Sequence, residues 1–91
     1  MRLQWTSKAL GDIARLHDFF KQENPSVAAK VVQALASAPT QLIAHPKIGE
    51  ALDQYQPRDV RRILVGQYEL RYEIVKTTLY VLRVWHTREN R

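Results

Sequence analysis

The sequence predicts an α+β domain of order strand, helix, helix, strand, strand, strand, with a helical hairpin packed on one face of a small antiparallel sheet. Two observations carry this. From Thr6 to Ala44 the apolar residues recur at helical spacing. From Val60 onward, three runs rich in Val, Ile, Leu and Tyr are parted by the two-residue breaks "GQ" and "KT".

The opening "MRLQW" alternates, with Leu3 and Trp5 on one side, and reads as a short strand. Thr6 and Ser7 supply N-cap oxygens for a first helix, whose stripe is Ala9, Ile13, Leu16 and Phe20, widened by Leu10, His17 and Phe19. In "QENPS" the residue before proline avoids helical geometry, Asn24 is a good cap and Pro25 suits a first turn. One helix therefore ends and another begins, as an antiparallel hairpin. The second helix carries Ala28, Val31, Leu35, Ala38 and Leu42 on one stripe and runs to about Ala44. Pro39 cannot donate to the Leu35 carbonyl, so a kink or restart is expected between Ser37 and Pro39.

Residues 50 to 59, "EALDQYQPRD", show no period and read as a loop. The runs Val60 to Val65, Tyr68 to Val75 and Thr78 to His86 can join only as antiparallel hairpins across such short breaks. In the middle run Tyr68, Leu70, Tyr72 and Ile74 share a buried face, and Glu69, Arg71 and Glu73 a wet one carrying a charge ladder. The last run is apolar on both sides apart from Arg83 and His86, which places it inside the sheet with cover on both faces.

At 91 residues there is room for a single domain, 1–91, with one core. With no cysteine and three scattered histidines, His17, His45 and His86, no metal site and no cofactor are expected. No stretch has the character of a signal peptide or a membrane span, so a cytoplasmic protein is expected. Fourteen Lys and Arg against nine Asp and Glu give a formal charge of +5, which suits an anionic partner of nucleic acid or protein.

Five segments in this order and spacing resemble the ParE/RelE superfamily of bacterial type II toxins. They are "WTSKALGDI", "NPSVAAKVV", "LIAHPKIG", "RRILVGQYELRYEI" and "LYVLRVWHTREN". The resemblance implies a RelE/ParE-like fold and a cytosolic toxin held inactive by a cognate antitoxin encoded beside it, in a toxin–antitoxin hetero-oligomer. RelE-like members are ribosome-dependent mRNA endonucleases; ParE-like members inhibit DNA gyrase.

RNA cleavage needs a base, an acid and a cation to stabilise the phosphorane. His86 is the candidate acid or base, and Arg61, Arg62, Arg71, Arg83 and Arg88 could hold phosphate. Against that, the resemblance sets Glu69 where such nucleases usually carry an arginine, and "GEALDQYQPRD" lacks a lysine-rich loop. The sequence is thus closer to ParE, with His86 more often structural than catalytic at such a position. Arg61, Arg62, Arg83, His86 and Arg88, beside Arg91, are the candidate target-binding residues, and Trp5, Phe19 and Phe20 the candidate antitoxin contacts. A toxin-like chain that is inert or serves only DNA regulation is the third reading.

Overall fold

The computed structural model describes residues 1–89 and has the expected order of elements. Strand β1 spans Arg2–Trp5, helix α1 Ser7–Lys21, helix α2 Pro25–Ala44, β2 Glu50–Ala51, β3 Asp59–Val65, β4 Tyr68–Val75 and β5 Thr78–His86. The two helices pack on a five-stranded sheet of order β1-β5-β4-β3-β2.

Local chemistry sets the helix boundaries. The Thr6 Oγ1 atom accepts the Ala9 N–H at 3.1 Å, and Asn24 Oδ1 accepts the Ser26 and Val27 N–H groups at 3.0 and 3.3 Å, satisfying donors that a helix start leaves unpaired. Pro25 sits in the first turn of α2, as its fixed φ allows. α2 runs as one helix through Pro39, so the expected restart does not occur there. The Pro39 ring is fully buried, and that apolar burial offsets part of the lost backbone hydrogen bond.

The sheet departs from the sequence reading in three places. β1 lies parallel to β5, Leu3 opposite Leu79 and Trp5 opposite Val81, so the sheet is mixed. The long route through both helices permits this pairing, which no short connection could. Second, the 50–59 segment is not all loop: β2 pairs antiparallel with β3, and a single tight turn follows at Asp53–Tyr55. Two residues are too few to display a period. Third, a bulge interrupts the β4–β5 ladder: Tyr72 faces Val81 but Arg71 faces Arg83, which leaves Leu82 as the extra residue.

The core lies between the helices and the β4–β5 pair. Ala9, Leu16, Leu35, Ala38 and Leu42 meet Leu70, Tyr72, Leu79, Val81 and Val84. A buried Leu or Val of this kind contributes about 1.5–3 kcal/mol. Trp5 and Phe20, both partly buried, pack on its margin.

Tyr72 anchors the turn after α2. Its hydroxyl donates to the Pro46 carbonyl at 2.7 Å and accepts the Gly49 N–H at 3.0 Å, and burial pushes its pKa above the usual tyrosine value. A methyl group on Gly49 would stand 2.5 Å from that hydroxyl and 2.8 Å from the Arg62 carbonyl oxygen. Gly49→Ala should therefore cost about 1–3 kcal/mol of stability by overpacking, measurable as a lower urea midpoint with an unchanged slope.

Candidate functional site

The sheet has two faces, and its register separates the candidate residues between them. On the helix-covered face, Arg61 lies opposite Tyr72, and His86 lies opposite Tyr68. On the other face the register sets Arg62, Arg71 and Arg83 side by side across β3, β4 and β5. Leu64, Glu69 and Trp85 form the adjacent row.

The open face is a lattice of guanidinium, carboxylate and aromatic groups. Glu69 is only 1% exposed, and the Glu69 carboxylate accepts from Arg71 Nε at 2.7 Å and from Arg62 Nη1 at 3.4 Å. Arg62 also reaches Glu50 at 3.0 Å, the strongest cause of its raised pKa. Arg71 donates to the Tyr55 hydroxyl at 3.0 Å, and Arg71 and Arg83 each place their central carbon within 5 Å of the Trp85 ring centre. The expected wet face of β4 is thus covered. Among the described residues no second layer does this; long side chains lie over one another, which simple alternation cannot reveal.

Arg58 closes one corner with two hydrogen bonds to Glu73, at 3.0 and 2.9 Å, and these hold the Glu73 carboxyl below its ordinary value of 4.5. A depressed folded-state pKa contributes stability above about pH 4.5 that is lost as pH falls through the folded value. Glu73→Gln should flatten the stability curve between roughly pH 3 and 5, as read by urea unfolding at each pH.

Arg83 turns toward α1. Its guanidinium makes two hydrogen bonds to Asp12, at 2.8 and 3.1 Å, and Asp12 Oδ2 also accepts the Val84 N–H at 2.9 Å. Beyond Trp5 there is no β1 to pair with the outer edge of β5, and side chains cap it instead. Thr6 donates to the Leu82 carbonyl, Arg15 to the Val84 carbonyl, and Glu89 accepts the His86 N–H. An edge occupied in this way is a poor template for strand pairing.

His86 belongs to a different neighbourhood. Its Nδ1 faces the Arg88 N–H at 3.1 Å, and Nε2 lies 3.2 Å from Gln67 Oε1. The ring stacks edge-to-face on Tyr68. Together with Arg15, Leu16, Phe19, Phe20, Arg88 and Glu89 it lines a cavity of about 370 Å³. Phe19 is 62% exposed there and meets Phe20 edge-on.

The structure therefore divides the residues expected to bind a target. Arg62 and Arg83 share the open face. His86 and Arg88 lie beside Phe19 and Phe20 at the helix side. Arg61 belongs to neither group, because its guanidinium grips Asp59 and the carbonyls of Lys47 and Gly49. Trp5 stands apart from the two phenylalanines, in the margin of the core. Arg91 lies outside the described residues. Sequence reasoning missed Asp12, Tyr55 and Trp85; an acid on the Ala9–Leu16 stripe was the available signal for Asp12. Among the described residues no group of three or more His, Cys, Asp or Glu side chains is placed to hold a metal, and no helix is long and apolar enough to cross a membrane.

Residues 3–91 match the family model described as the ParE toxin of the type II toxin–antitoxin system parDE. The chain belongs to the ParE toxin family. It is 27% identical over 82 residues to Toxin RelE2 of Caulobacter vibrioides, spanning 90% of each chain. In fold this ParE-family toxin is similar to a solved chain described as the chromosomal ParDE TA system from P. aeruginosa, with a TM-score of 0.79, 22% identity and coverage of 94% and 95% of the two chains.

Proposed function

We propose that this ParE-family toxin acts in the cytoplasm by inhibiting DNA gyrase and is neutralised by an antitoxin encoded beside it. One observation carries the choice of target. The groups a nuclease would need are largely engaged: His86 is hydrogen-bonded at both ring nitrogens, and of the described candidate arginines Arg88 alone shares its cavity, whereas Glu69 holds Arg62 and Arg71 on the open face and Asp12 of α1 holds Arg83. Glu69, in the middle of the arginines, disfavours an incoming phosphate chain. A protein target needs no such constellation.

The exposed Phe19, with Phe20 and the cavity beside them, supports the antitoxin contact. An amphipathic segment could seat an apolar side chain there. Trp5 has the weaker claim, since its ring packs on the core. The likeness to a relative named Toxin RelE2 keeps ribosome-dependent mRNA cleavage as the second reading.

Adding the purified toxin to gyrase should suppress supercoiling and leave ribosome-bound mRNA intact; the reverse pattern would overturn the gyrase reading. Loss of a general acid or base costs about 10²–10⁴-fold in rate. His86→Ala should instead retain growth arrest on induction, and its abolition would restore the catalytic reading.

A further inference from the structure

The arginine row poses a question of its own. Like charges placed directly across strands repel, so Arg62, Arg71 and Arg83 in one line weaken the sheet unless compensated. The compensation is uneven. Arg71 is 20% exposed and is bound to Glu69 and to the Tyr55 hydroxyl, whereas Arg62 and Arg83 are about twice as exposed, at 40% and 37%. Glu50, the second partner of Arg62, is itself exposed and stands on a strand of two residues. Next to the row, Leu64 is 66% exposed near the C-terminal end of β3, at the far side of Glu69 from Trp85.

We propose that this open face, with Leu64 and Trp85 as apolar ground and Arg62 and Arg83 as flanking cations, is where the toxin docks its target, and that it takes an acidic protein segment carrying an apolar side chain. The inference rests on the reading that the target is a protein. Charge complementarity selects the occupant: a discrete carboxylate can exchange with Glu50 on Arg62 and add to Arg83 beside Asp12. A continuous phosphate chain would run against the exposed Glu50 carboxylate, and the Trp85 ring on which a base would stack is already engaged by Arg71 and Arg83. The face is also separate from Phe19 and Phe20, so contact with target and contact with antitoxin can be tested independently.

Leu64→Ser and Arg62→Gln report on the face. Each variant is produced with the product of the adjacent gene, and thermal unfolding and co-purification with that product check folding. Purified gyrase with relaxed plasmid is the probe, and growth arrest on induction is the parallel readout. Both variants should fold and co-purify, while the concentration needed to inhibit gyrase rises at least about tenfold, as truncation of an interface anchor does, and growth arrest weakens. If both inhibit gyrase as the unaltered chain does, the docking face is wrong and the gyrase reading stands. If the unaltered chain arrests growth without touching gyrase, the gyrase reading fails and growth arrest decides the face: arrest weakened in both variants supports it, arrest retained overturns it. Cleavage of ribosome-bound mRNA by the unaltered chain, lost in the variants, would overturn the protein occupant. Leu64→Ser leaves the ion pairs of the face in place, so the test survives a folding defect in Arg62→Gln.

Discussion

Asp12→Ala should lower the unfolding free energy by about 3 kcal/mol, because one carboxylate serves three donors. The Asp12 oxygens hold the Arg83 guanidinium twice and the Val84 backbone N–H once, and the side chain is almost wholly buried. Removing it strands that N–H at a part of β5 that β1 does not reach, where no strand can replace the acceptor. Asp12→Asn supplies an acceptor without the charge and should recover roughly half of the loss. Urea unfolding of the two variants measures both values. A cost under about 0.5 kcal/mol for Asp12→Ala, the range of ordinary surface substitutions, would show that water replaces the carboxylate.

Glu69→Ala is expected to be at least as damaging, by about 3–5 kcal/mol, since breaking a buried ion pair leaves its partners uncompensated. Here the deserted groups are Arg62 and Arg71, adjacent across β3 and β4 with Arg83 next in line. Glu69→Gln keeps the shape and loses the charge, so the gap between the two variants separates packing from electrostatics. Salt distinguishes them as well: repulsion within the arginine row is partly screened, so added salt should restore Glu69→Gln more than it stabilises the unaltered protein. Equal salt responses would mean that the row is not held by Glu69.

The elements themselves were legible because each has its own local cause. The caps at Thr6 and Asn24, Pro25 in a first turn, and the "GQ" and "KT" breaks all act within a few residues. What escaped detection is non-local. That β1 is parallel to β5 depends on where two helices deliver the chain, and β2 is too short to show alternation. Glu69 and Glu73 read alike in the sequence, as acids on one face of one strand. They differ because Glu69 lies under Arg62 and Arg71, while Glu73 is tied to Arg58 across a loop. For the candidate site, residue types were readable and their grouping was not: Arg61 and Arg62 are neighbours in sequence, yet alternation sends them to opposite faces. The meeting of Arg71 and Arg83 over the Trp85 ring has the same origin, in side chains that only the register brings together.

The extra residue at Leu82 has a further meaning for the chain. Were Leu82 paired like its neighbours, with no bulge, β5 would keep one phase from end to end, and a strand with Leu79 and Val81 inward would continue with Arg83 and Trp85 inward. The bulge resets the phase, so Val84 and His86 take the inner positions while Arg83 and Trp85 emerge beside Arg71. β5 is therefore two short strands in opposite phase spliced at one residue: both halves keep apolar side chains in the core, and the splice is what lets the second half show Arg83 and Trp85 to the outside.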